Sequence, residues 1–268
     1  MTQRIQVEEV MEENLDDVFK VCSHSRLRDP LQRRGMEIKR RWLLEMLNHY
    51  GGCTKVAYLD GGPVAQLLYY PEEAIPYVEN PRRDVIHLHC VYNLFPEARG
   101  KGVASALIRD LLEEAERGME MLQGRRCRFI VAKPFNTGEG IPLEAFYASK
   151  GFHWGVGEMY LEISASYETR KLGEYRPLSE DEGRALIFYS PLCEYSYPFA
   201  HRVREIIWEV KPDLPITLID MWRQPEEASK RYGEEIIVNA RPIRAWWGDR
   251  EGFKEEVMKA LEISLESD

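Results

Sequence analysis

The chain has 268 residues, of which 44% are hydrophobic and 30% charged, with a formal net charge of −9. This is the composition of a globular protein long enough for two ordinary domains, and it excludes a disordered or fibrous chain. The acidic balance argues against nonspecific nucleic-acid binding through a basic surface, and no apolar run approaches the roughly 20 residues that span a bilayer.

The first fourteen residues, MTQRIQVEEVMEEN, are acidic where a secretion signal carries an apolar core, so a cytoplasmic location is expected. Residues 4–10 alternate like a short strand, and MEENLDDVFKVC follows with helical spacing. A basic loop containing Pro30 and Gly35 then leads into a second helix holding Trp42, Leu43 and Met46. TKVAYLDGGPVAQLLYYP is a hairpin turning at Asp60-Gly61-Gly62, where positive φ is easy. DVIHLHCVYNL is the next strand. From Val103 to Ala115 one apolar stripe of valine, leucine, isoleucine and alanine predicts an amphipathic helix. RCRFIVAKPF is a strand, PLEAFYASKGF a helix ending at Gly151, and EMYLEIS a closing strand. The predicted fold class is α/β, with a mixed sheet between helices over residues 1–165. Residues 166–184 lose periodicity and form a linker. From 185 to 268 a second, smaller α/β unit runs strand, helix, strand, helix, hairpin, helix.

Five cysteines, Cys22, Cys53, Cys90, Cys127 and Cys193, are scattered without a CxxC pair. An odd, dispersed set points to reduced thiols rather than disulfides or structural zinc, and no metal site is expected.

The stretch PEARGKGVASALIRDLLEEAE places Gly100 and Gly102 just ahead of the amphipathic helix, where Ser, Thr or Asp would cap it better. Without Cβ atoms, the backbone amides there stay open to a large anion. A helix N-terminus leaves four N–H groups without intrahelical partners and presents partial positive charge, which suits phosphate. Arg99 and Lys101 add cations. The stretch is not a mononucleotide loop of the GxxxxGK[ST] type. Ser105 in the third position, and a next strand ending without a carboxylate, also set it apart from a dinucleotide fingerprint.

Arg99-Gly100-Lys101-Gly102-Val103-Ala104 meets the Gln/Arg-x-x-Gly-x-Gly/Ala fingerprint of acyl-CoA-dependent N-acyltransferases. With the strand before it and Tyr147-x-x-x-Gly151-Phe152 after it, residues 1–165 resemble the GNAT superfamily. The resemblance implies a splayed sheet and a turn, residues 99–104, that cradles the diphosphate of acetyl-CoA, the co-substrate. It implies that Tyr147 protonates the departing sulfur, that the backbone N–H of Tyr92 faces the oxyanion, and that Leu94 lines the pantetheine path. Asn136 stands near the place of a family asparagine that contacts the cofactor. The family's frequent glutamate base corresponds to Leu88, flanked by His87 and His89. Either imidazole has the right pKa to take an ammonium proton, although strand alternation turns both away from the Leu88 face unless a bulge intervenes. The implied acceptor is a small-molecule or peptide amine, with neither nucleic acid nor membrane as partner and a homodimer allowed. The arginines and lysines of residues 26–41 read either as a lure for an anionic acceptor or as a solvated face.

The second unit resembles the thioredoxin fold, with Cys193-Glu-Tyr-Ser196 where redox members keep two cysteines. Serine replaces the resolving cysteine, and no proline directly precedes EIIVN. The unit therefore reads as a redox-silent module, with a non-catalytic acyl-CoA sensor and a thiol protein acting through Cys193 as alternatives for the chain.

Overall fold

The computed structural model describes residues 4–93, 95–135, 141–170 and 173–262. The chain divides into two compact units, Met1–Leu27, Arg40–Ile75 and Asn80–Arg170 forming one, and Arg28–Lys39, Pro76–Glu79 and Lys171–Asp268 the other. The second unit thus draws on two stretches of the N-terminal half as well as on the C-terminal region.

In the first unit, β1 (Ile5–Glu9) and α1 (Asp16–Cys22) precede α2 (Pro30–Tyr50), whose residues from Arg40 onward belong here. Then come β2 (Thr54–Leu59), β3 (Gly62–Pro71), β4 (Val85–Tyr92), α3 (Val103–Arg117), β5 (Phe129–Ala132), α4 (Leu143–Ala148), β6 (His153–Trp154) and β7 (Met159–Glu162). The strands make one sheet in the order β1-β2-β3-β4-β5-β7-β6. Asp60 and Gly61 join β2 to β3 with φ of 51° and 86°, the backbone a two-residue hairpin requires. Within this sheet only β4 and β5 are parallel, and α3 supplies the crossover such a pair needs. β6 is the one element the periodicity does not announce, because two residues are too few to alternate.

α3 buries Val103, Ala106, Leu107, Ile108, Leu111 and Ala115 as a single stripe. Beside the stripe, the nearly buried ammonium of Lys55 on β2 pairs with Asp110 at 2.9 Å and Glu114 at 2.8 Å. A lysine on a buried strand is thereby satisfied by the polar edge of the same helix.

The helix α2 begins at Pro30, so half of the expected basic loop is helical. The reason is local chemistry: Asp29 Oδ1 accepts the amides of Leu31 and Gln32, and proline suits the first helical position. Gly35 is consequently a helix-interior glycine. A Cβ at that position would lie 2.0 Å from the carbonyl oxygen of Glu194, so only glycine allows this approach. One helical turn further on, Lys39 Nζ meets Glu194 Oε2 at 2.8 Å, with both side chains buried. Alanine at 35 improves helix propensity by about 1 kcal/mol, but it must push backbone away and open that ion pair. Gly35→Ala is expected to destabilise the second unit by about 2 kcal/mol, measured as a lower urea midpoint.

The second unit continues with β8 (Ala185–Tyr189), α5 (Ser196–Val210), β9 (Ile216–Asp220), α6 (Pro225–Lys230), β10 (Ile236–Val238), β11 (Arg241–Pro242) and α7 (Arg250–Glu262). Its sheet runs β11-β10-β8-β9, parallel between β8 and β9 and antiparallel elsewhere. Alternation along β8 sorts the two cores: Ala185 and Ile187 face α5 and α7, while Leu186 and Phe188 pack on the α6 side. Among the described residues no disulfide forms, and no helix is long and apolar enough to cross a membrane.

Candidate active site

The register between β4 and β5 covers four pairs, from Val85↔Phe129 to Leu88↔Ala132. The register between β4 and β3 runs on to Gln66↔Tyr92. The second half of β4 therefore has a strand neighbour on one side only, and the sheet opens there. At the point of opening the β3 ladder is irregular: Tyr69 pairs with Leu88 and Leu68 with Cys90, which leaves His89 as the extra residue of a bulge.

α4 sets Tyr147 beside this opening. The side chain is fully buried, its ring held between Phe146 at 6.0 Å and Phe152 at 5.4 Å. Its Oη has no hydrogen-bond partner among the described residues. Burial, reinforced by the Cys90 thiol, holds the phenol far above its ordinary pKa. The Val91 backbone acts in the opposite sense. A buried phenol of this kind stays protonated at neutral pH and has a hydrogen to give.

Downstream of β4, Gly100 and Gly102 adopt φ of 71° and 80°. Both are exposed, and a Cβ at either would meet nothing within 4 Å. Glycine is therefore demanded by the left-handed backbone, with the space around it open. Gly102 ends the turn as the N-cap of α3, without a side-chain cap and with no acidic residue in the first helical turn. Arg99 and Lys101 are exposed on the turn, Ala104 is half-buried, and Val103 is committed to the core, so that Val103 has only backbone to offer. Lys150, two residues beyond α4, reaches the same helix start: its Nζ lies 2.8 Å from Ser105 Oγ. Its only signal in the sequence is a cation inside the Tyr147-to-Phe152 motif. Leu94 and Asn136 lie outside the described residues.

The two histidines both stand beside Tyr70, whose ring stacks on His87 at 5.5 Å and lies 6.2 Å from His89. His87 is tied down. Its Nε2 lies 2.8 Å from Glu72 Oε2, and Arg82 grips the same carboxylate at 2.6 Å while reaching Glu158 at 2.6 Å. Neither Glu72 nor Arg82 is marked by any motif. Burial would raise Glu72, yet the hydrogen bonds from His87 and Arg82 win and hold it well below the carboxylate range. Burial lowers His87 despite the pull of Glu72 and Glu158, and Arg170 adds to the lowering. Tyr92 closes the β3 ladder opposite Gln66, and the backbone that acts on the Tyr147 phenol is Val91's.

Both shifts carry the same sign for stability. A histidine whose folded pKa lies below its unfolded value of about 6.5 binds fewer protons when folded, so its contribution is complete above that pH and is lost as pH falls. Glu72, also lowered, adds a second loss further into acid. The urea midpoint of the first unit is expected to fall between about pH 6.5 and pH 5, and His87→Gln should flatten the fall in that window. An unchanged slope in the variant would remove His87 as its source.

In the second unit Cys193 lies half-buried three residues ahead of α5. Burial and the neighbouring Glu194 carboxylate push the thiol up, outweighing the amides of Tyr195 and Ser196. Desolvation thus outweighs any stabilisation of a thiolate by the nearby helix N-terminus. Ser196 Oγ is already engaged, accepting the Ser190 amide at 2.9 Å. Among the described residues no cluster of three histidine, cysteine or carboxylate side chains is placed to hold a metal ion.

Several solved structures resemble the chain. A GNAT family acetyltransferase from Brucella melitensis, in complex with acetyl-CoA, aligns at 16% identity over 63% of this chain and 94% of that one, with a TM-score of 0.41. PaiA N-acetyltransferase from Thermoplasma acidophilum, in complex with coenzyme A, aligns at 13% identity over 61% of this chain and 99% of its own, also with a TM-score of 0.41. The ribosomal-protein-S18-alanine N-acetyltransferase of Escherichia coli aligns at 13% identity over 63% and 99%, with a TM-score of 0.40. No curated protein sequence matches the chain. Residues 9–139, from β1 through the opened strand and the glycine turn to the segment after β5, match the acetyltransferase (GNAT) family.

Proposed function

We propose that the chain is an N-acetyltransferase that moves an acetyl group from acetyl-CoA to a primary amine by direct attack in a ternary complex. The observation that carries this reading is the buried Tyr147 phenol, without a hydrogen-bond partner among the described residues, set against β4 where the sheet opens. The turn at residues 99–104 fits the co-substrate's diphosphate, with open space at both glycines and a helix start bare of carboxylates. When bound, acetyl-CoA supplies an activated thioester. The opened edge of β4 receives the pantetheine arm, and a backbone amide there, Tyr92's or that of Val91 beside it, donates to the oxygen on which negative charge develops. Tyr147 gives its proton to the departing sulfur.

For the base, His89 is favoured over His87. It occupies the bulge at the mouth of the opening, whereas His87 is held in the Glu72–Arg82 network. The acceptor is a small-molecule or peptide amine. Calorimetry with acetyl-CoA, followed by thiol release against an amine panel, tests the reading. Binding without turnover on any amine would leave a sensor in place of an enzyme.

The second unit is proposed as a thioredoxin-like module without redox activity. In support are its βαβ crossover followed by a hairpin and a final helix, the raised Cys193 pKa, and the engaged Ser196.

A further inference from the structure

The start of α3 is electrostatically unusual for a helix. Its first turn has no acidic residue, and Arg99 and Lys101 precede it. A third cation comes from elsewhere in the chain, because Lys150 Nζ lies 2.8 Å from Ser105 Oγ, the third residue of the helix. Like charge at a helix N-terminus opposes the macrodipole and is unfavourable unless an anion offsets it. Among the described residues Lys150 has no carboxylate partner; its contacts are the Ser105 hydroxyl and the face of Phe146, 5.2 Å from the ammonium. A half-buried ammonium held this way is poised for an incoming anion.

Lys150 also belongs to the turn that carries Tyr147. Its amide donates to the Tyr147 carbonyl at 2.9 Å, and the amide of Phe152, whose ring flanks the phenol, donates to the same oxygen at 3.1 Å. The end of α4 is thus fastened at one side to the phenol and at the other to the start of α3.

We propose that Lys150 binds the diphosphate of acetyl-CoA, moving from Ser105 to the phosphate oxygens, and so couples occupancy of the α3 start to the placement of Tyr147. This rests on the acetyl-CoA reading above and assigns a residue outside the fingerprint to the phosphate site. The serine hydroxyl that the ammonium leaves is free to donate to the same anion.

The test compares wild-type, Lys150→Met and Lys150→Arg chains by calorimetry with CoA and with 3′-dephospho-CoA, at low and high salt. Lys150→Met should weaken both ligands by about tenfold, with Lys150→Arg retaining most of the affinity. The gap between wild type and Lys150→Met should narrow as salt screens the contact. The unliganded Lys150→Met chain should melt no lower than wild type, since a cation opposed to the dipole is removed, while the rise in Tm on adding CoA shrinks. A loss confined to CoA would place Lys150 at the 3′-phosphate and overturn the diphosphate assignment. A lower unliganded Tm with a salt-independent loss would make Lys150 a packing residue and overturn it too. A wild-type chain that binds neither ligand would sink the acetyl-CoA reading itself.

Discussion

Replacing Tyr147 with phenylalanine should lower kcat by about 10²–10⁴ while leaving the affinity for acetyl-CoA nearly unchanged. The same substitution should raise the stability of the first unit by about 1 kcal/mol. A buried hydroxyl with no partner forfeits its solvation without return, and phenylalanine fills the same space between Phe146 and Phe152. These opposite signs separate a functional phenol from a structural one. A tyrosine kept for packing would show neither the kinetic loss nor the gain, and one kept for a hidden hydrogen bond would lose stability on substitution. Steady-state kinetics and urea denaturation on the same preparation decide among them. Unchanged turnover would remove Tyr147 from the mechanism.

Gly102→Glu should abolish acetyl-CoA binding, a loss of at least about 100-fold by calorimetry. Two effects act together. The residue holds φ of 80°, a conformation that costs a side-chain-bearing residue about 1–2 kcal/mol. The carboxylate would also stand at the mouth of the amide-lined turn, repelling the diphosphate where the helix N-terminus should attract it. Packing is not a third effect, because a Cβ there meets no atom within 4 Å. Gly102→Asn, which tolerates the left-handed region and carries no charge, should retain measurable binding. If both variants bind like wild type, the turn does not hold phosphate.

The second unit adds a constraint on how the chain can be altered. Its buried Lys39–Glu194 pair and the tight passage at Gly35 join two segments far apart in sequence. Glu194 sits beside Cys193, so the same carboxylate that completes the ion pair also disfavours a thiolate. Lys39, the other half of the pair, acts on the thiol in the opposite sense, and burial decides the outcome.

By itself the sequence determined the succession of helices and strands apart from the short β6, the Asp60-Gly61 turn, the core stripe of α3 and the glycine turn ahead of it. Each of these depends on periodicity or on the conformational freedom of residues a few positions apart, and neighbours along the chain settle such preferences. The family resemblance carried by the Tyr147-x-x-x-Gly151-Phe152 motif also made Tyr147 a candidate. Tertiary structure alone decided which of these groups have partners. The β5 register stops at Leu88 while the β3 register continues, and a bulge singles out His89 from His87. His87 is anchored by Glu72, 15 residues away, and Lys39 by Glu194, 155 residues away. Desolvation and hydrogen-bond satisfaction depend on what the folded chain brings alongside, and no local pattern records that. For the same reason the Tyr147 phenol is left buried without a hydrogen-bond partner among the described residues, and Lys150 stands over a helix start it does not adjoin in sequence.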